Sequence, residues 1–72
     1  MTYRFTTIIH REGRWYVAHC AELGVVSQGK NIEEAKKNLK EAIKLYLEDE
    51  PRAKRYSLKS APLVTTIELE YA

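Results

Sequence analysis

One long segment of the sequence, residues 31–49, carries an apolar stripe at helical spacing, and it constrains the fold more than any other feature. Apolar residues recur there at steps of three and four, as one face of an α-helix requires: Ile32, Ala35, Leu39, Ala42, Ile43, Tyr46 and Leu47. Asn31 followed by Glu34 matches a capping box at the start, and Pro51 stops the helix one or two residues earlier. The fold must therefore bury one face of this helix against another secondary-structure element.

Four further segments have the β-branched and aromatic character of strands: residues 3–10, 15–20, 25–28 and 63–71. The last segment alternates most clearly, because its apolar residues and its two glutamates fall on opposite faces. A right-handed crossover through the helix places the fourth strand parallel to the first and beside it. We therefore expect an α+β fold of the order β-β-β-α-β, with a four-stranded mixed sheet in the order 3-2-1-4 and one helix packed on one face. In this prediction residues 1–72 form a single domain, with no C-terminal DNA-binding domain.

The first two strands form a predicted hairpin, and its register decides which side chains share a face. Pairing Arg11 with Arg14 across the turn gives one sheet face that the helix covers. Its side chains are Phe5, Thr7, Ile9, Tyr16, Ala18 and Cys20, joined by Ile67 and Leu69. The opposite face then carries Ile8, Trp15 and Val17, an apolar cluster typical of an association surface. We expect these three residues to form the interface of a homo-oligomer, a dimer or a tetramer. Two alternatives remain open: the helix covers this face instead, or the connector 52–60 folds over it.

Composition and charge exclude several classes of protein. Hydrophobic residues make up 44% and charged residues 31% of the chain, and no apolar run approaches the ~20 residues of a membrane span. The formal net charge of +2 is smaller than the clustered excess typical of nucleic-acid-binding domains. A single cysteine, Cys20, excludes an internal disulfide and a cysteine-based zinc site. We expect a cytoplasmic protein with no cofactor and no membrane contact.

The sequence offers no set of residues suited to catalysis. Its first strand has no carboxylate, whereas two-metal phosphoryl chemistry needs several carboxylates around metals about 4 Å apart. In the register above, His10 and His19 share a face but stand four rows apart, roughly 13 Å at the ~3.3 Å rise of a strand. Cys20 points to the other face. We therefore expect no enzyme activity and no metal site.

A series of short motifs across residues 16–48 resembles the HicB antitoxin family. The motifs are Tyr16-Val17-Ala18, Cys20-Ala21-Glu22-Leu23, Gln28-Gly29-Lys30-Asn31, Glu33-Glu34-Ala35 and Ala42-Ile43 followed by Tyr46-Leu47. The family has proline where this chain has Ala21 and threonine where it has Asn31, and both replacements are physically mild. Family members often carry a C-terminal DNA-binding module, which has no counterpart here, so we expect no DNA binding by this chain alone.

The resemblance implies a fold similar to a truncated ribonuclease H and a non-catalytic role as the antitoxin of a type II toxin–antitoxin system. Such antitoxins neutralise HicA, a small mRNA-cleaving toxin, so the implied partner is a HicA-like toxin. An inhibitor of a basic RNA-binding surface needs carboxylates and apolar anchors, and we expect four residues to supply them: Glu22, Leu23, Glu68 and Glu70. The alternatives are a homo-oligomer of the same fold without a toxin partner and a non-catalytic nucleic-acid-binding module.

Overall fold

The computed structural model describes residues 2–56 and 62–71. Within these residues no helix combines the length and apolar character that crossing a bilayer requires. The elements, in chain order, are β1 Thr7–Glu12, β2 Trp15–Cys20, β3 Val26–Gly29, α1 Ile32–Asp49 and a 3₁₀ helix Pro51–Tyr56. One long helix thus follows one small sheet, and the two pack on each other.

The sheet is antiparallel throughout, and its strands lie in the order β1-β2-β3. Two residues form the hairpin loop, and the first of them, Gly13, has a φ of 60°, which glycine adopts without steric cost. The expected pairing of Arg11 with Arg14 is wrong, because Arg11 faces Tyr16. The register differs by two residues, an even number, so every hairpin side chain stays on its predicted face.

The predicted four-stranded sheet with the order 3-2-1-4 is wrong, because residues 62–71 form no strand. Every residue of this segment is exposed, and Ile67 and Leu69 expose 89% and 82% of their surface. Their expected contribution to the core is therefore wrong as well. Alternation indicates which side chains a strand buries once it is paired, but it does not specify the pairing partner.

The helix begins and ends where the sequence predicts. The Asn31 side chain caps it by accepting a hydrogen bond from the backbone N–H of Glu34 at 2.7 Å. At the other end the backbone N–H of Glu50 donates to the Tyr46 carbonyl at 2.8 Å, and Pro51 begins the next element. Both ends are thus set by residues at the ends themselves.

The core lies between the helix and one face of the sheet. Four of its residues are fully buried: Ala18, Cys20, Ala35 and Leu39. Partly buried apolar residues pack around them: Phe5, Ile9, Tyr16, Leu23, Val25 and Ile43. The small side chains of Ala18 and Ala35 let the helix approach the sheet closely. The predicted core face of the hairpin is confirmed for all of its members except Thr7, which is exposed.

Candidate protein interface

The sheet face turned away from the helix carries an uncovered apolar patch. Its residues are Ile8 from β1, Trp15 and Val17 from β2 and Val26 from β3, and we call them the outer patch. Ile8, Trp15 and Val26 are 44%, 43% and 55% exposed, and Val17 is half-buried. The predicted exposure of Ile8 and Trp15 is confirmed, and their role in self-association stays a prediction.

The sequence leaves two alternatives for covering this face, the helix and the connector 52–60. The helix does not cover the outer patch, because α1 packs on the core residues of the opposite face. The first part of the connector forms the 3₁₀ helix Pro51–Tyr56, which contacts α1. The rest of the connector, residues 57–60, lies outside the described residues. Over the described part of the chain the outer patch is therefore open to a partner.

Polar side chains border the outer patch. His10 pairs with Val17 and His19 pairs with Ile8, so the histidines stand two rows apart and not four as predicted. The Nε2 atom of His10 lies 3.2 Å from Oε1 of Glu12, and both side chains are exposed. Residues 2–56 and 62–71 contain no group of three or more side chains that could hold a metal ion. These polar groups give the patch the hydrogen-bonding rim that interfaces commonly have.

The Glu22 carboxylate, a predicted partner contact, accepts hydrogen bonds from its own chain. Its Oε1 accepts a hydrogen bond from the Thr6 backbone N–H at 2.7 Å, and its Oε2 accepts one from the Thr6 hydroxyl at 2.6 Å. The Ala21 N–H also donates to the Thr6 carbonyl at 3.0 Å. Leu23 packs against the core and is partly buried. Glu22 and Leu23 thus have structural roles, and their contact with a partner stays a prediction.

Glu22 and the neighbouring Cys20 have pKa values shifted in opposite directions. Partial burial alone would raise the pKa of Glu22, but its hydrogen bonds, of which the one from the Thr6 hydroxyl has the largest effect, together outweigh burial and hold the pKa below the ordinary 4.5. Burial raises the pKa of the Cys20 thiol above the ordinary 9.0, and the nearby charge of Glu22 raises it further. The Cys20 Sγ lies 3.8 Å from Glu22 Oε1. At neutral pH Cys20 is therefore a buried, protonated thiol of the core.

Replacing the Glu22 carboxylate is expected to loosen the attachment of residue 6. Glu22→Gln should lower the free energy of unfolding by about 1 kcal/mol at neutral pH, because a charged acceptor binds its donors more strongly than an amide oxygen does. Since folding lowers the pKa of Glu22, its stabilising contribution is complete above about pH 4.5 and is lost as the pH falls through the folded value. The difference between the wild type and the variant should therefore shrink on acidification.

Urea denaturation at neutral and at acidic pH measures this difference. The exposed Glu48 lies on α1, and Glu48→Gln is the matched control, expected to change the stability little at either pH. A stability difference for Glu22→Gln that grows on acidification would contradict the assigned role of the carboxylate.

The other two predicted partner contacts, Glu68 and Glu70, lie on the exposed segment 62–71.

The structure also shows a feature that sequence reasoning missed, an open cleft of about 720 Å³ between residues 3–7 and α1. The signal that could have revealed the cleft is the length of the apolar stripe on the helix. This stripe continues to Leu47, well beyond the last fully buried residue, Leu39.

A curated protein of Helicobacter pylori (strain J99 / ATCC 700824), described as a UPF0150 protein, is similar to this chain. The two sequences are 40% identical over 67 residues, which cover 90% of this chain and 93% of the relative. No protein-family profile matches the chain, and no solved structure matches it significantly. The similarity to the Helicobacter protein thus extends over nearly the whole length of both chains.

Proposed function

We propose that this chain, which belongs to the UPF0150 family, is a cytoplasmic antitoxin of a type II toxin–antitoxin system. It binds a small, mRNA-cleaving, HicA-like toxin and blocks it by covering its RNA-binding and catalytic surface. Two features support this function: the motifs of residues 16–48 that resemble HicB antitoxins, and the outer patch. The outer patch carries most weight, because a stoichiometric inhibitor needs an uncovered surface with apolar anchors.

Trp15 is the residue of the outer patch best suited to anchor a partner. Tryptophan is among the residues that contribute most binding energy when they fill a pocket at an interface, and Trp15 is 43% exposed. It pairs with Glu12 across the hairpin, which places a carboxylate beside an apolar side chain. A toxin that binds RNA presents a basic surface, and a carboxylate next to an apolar anchor complements such a surface.

Glu68 and Glu70 add negative charge on the exposed segment 62–71. Exposed charges that stay solvated mainly increase the rate of association and contribute less to the final affinity. We therefore assign these two glutamates to steering the toxin and Trp15 to holding it.

Removing the anchor is expected to weaken the complex. Trp15→Ala should reduce the affinity for the toxin by at least about tenfold, equivalent to about 1.4 kcal/mol. Calorimetry with a HicA-like toxin as the titrated partner measures this loss. Tyr56 lies outside the outer patch and is 61% exposed, so Tyr56→Ala is the matched aromatic control and should leave the affinity unchanged. Unchanged affinity for Trp15→Ala, with a native circular dichroism spectrum, would place the contact elsewhere.

The same variants separate this function from that of a homo-oligomer without a toxin partner. An antitoxin copurifies with a co-expressed HicA-like toxin, and Trp15→Ala leaves the mass of the free protein unchanged. A homo-oligomer that uses the outer patch fails to copurify with that toxin, and Trp15→Ala lowers its mass in light scattering.

A further inference from the structure

The open cleft beside α1 has apolar walls. Leu39, Ile43 and Leu47 of the helix form one side, and Phe5 of the N-terminal segment lies on the other. The volume of about 720 Å³ is within the roughly 300–1,000 Å³ range of pockets that hold ligands. The cleft is long and open, which suits an extended stretch of polypeptide better than a compact small molecule.

The same chain carries an apolar segment that does not contribute to the core. Within residues 62–71, Ile67, Leu69 and Tyr71 are 89%, 82% and 91% exposed. The radius of gyration is 13.9 Å, whereas a compact domain of this length has about 11 Å. Contiguous exposed apolar side chains of this kind mark a surface that binds another protein.

The cleft and the segment match in length. The helix residues that line the cleft run from Lys36 to Leu47, a distance of about 16 Å at roughly 1.5 Å per residue. In an extended chain the side chains of one face recur about every 6.6 Å, so Ile67, Leu69 and Tyr71 span about 13 Å. Three consecutive side chains of one face therefore fit within the cleft.

The cleft and the segment also match in charge. Three lysines line the cleft, Lys36, Lys40 and Lys44, and one carboxylate, Glu41. Residues 62–71 contain two glutamates and no lysine or arginine. Opposite net charges attract over about 8 Å at physiological ionic strength. The lysines therefore favour approach of the segment, while its glutamates, which alternate with the apolar residues, remain on the side facing the solvent.

We propose that the cleft of one copy receives residues 62–71 of a second copy, and that two copies exchange these segments reciprocally. Each copy supplies one cleft and one segment, so a twofold dimer satisfies both and closes without further chains. In the structure the segment of a chain lies outside its own cleft, with every residue exposed. This interface is separate from the outer patch, which remains free for a different partner.

Light scattering on the full chain at tens of micromolar tests the exchange. The wild type should have twice the 8.4 kDa mass of one chain, and Leu69→Glu should have the mass of one chain with an unchanged circular dichroism spectrum. Leu45 lies on α1 outside the cleft and is 64% exposed, so Leu45→Glu is the matched control and should keep the dimer. A monomeric wild type, or a dimer that survives Leu69→Glu, would overturn the proposal.

A mixing experiment distinguishes exchange between copies from docking within one chain. Leu47→Lys places a charge in the apolar wall of the cleft, and Leu69→Glu places one on the apolar face of the segment. Each variant alone should therefore be monomeric. In an equimolar mixture, the intact segment of the first variant can occupy the intact cleft of the second, and the dimer should return. A mixture that stays monomeric would exclude the exchange.

Discussion

Gly29→Ala is expected to lower the free energy of unfolding by about 3 kcal/mol, the upper part of the range for overpacking a close contact. A Cβ at this position would overlap the backbone nitrogen of Ala35 and come within 2.8 Å of the Glu34 carbonyl carbon. Gly29 ends β3 shortly before α1 begins, so the first turn of the helix packs directly on it. Rotating a side chain cannot relieve a clash with backbone atoms, so the helix would have to move away from the sheet.

Chemical denaturation measures this loss against a total stability of roughly 4–11 kcal/mol, taken from about 0.05–0.15 kcal/mol per residue. Gly13→Ala is the control, because a Cβ there meets nothing within 4 Å and only the positive φ of 60° is strained. That strain costs about 1–2 kcal/mol. Equal losses for the two variants would show that close approach of the helix is not the reason for glycine at position 29.

The parts of the fold that the sequence predicts correctly depend on neighbouring residues. The start of the helix is set by Asn31, and its end by Pro51, both within a few positions of the boundary they determine. The faces of the hairpin follow from the period-two alternation of its strands. This is why the outer position of Trp15 could be predicted even though the register was wrong by two residues.

The place of residues 62–71 could not be predicted, because it depends on long-range contacts. Alternating residues look the same whether a segment pairs with its own sheet, binds another copy or remains exposed. The role of Glu22 was missed for a similar reason. Its hydrogen-bond partner, Thr6, is 16 residues away in the chain, and no motif or spacing links the two. From the sequence alone, a loop carboxylate such as Glu22 beside Leu23 therefore indicates a contact with a partner.

Leu39→Ala is expected to cost about 3 kcal/mol, within the 2–5 kcal/mol that buried leucines lose on truncation. Leu39 is 2% exposed, the largest of the fully buried core residues, and it lies in one cluster with Ala18 and Cys20 of β2. These neighbours are too small to fill the space that the leucine leaves.

Leu45→Ala is the matched control, because it makes the same chemical change on the same helix at a side chain that is 64% exposed. Alanine favours the helix at least as much as leucine does, so the control should alter the free energy of unfolding by no more than about 0.5 kcal/mol. Urea denaturation of the two variants beside the wild type isolates the contribution of burial from that of helix propensity. Similar losses for Leu39→Ala and Leu45→Ala would mean that α1 is not packed on the sheet through the stripe that contains Leu39.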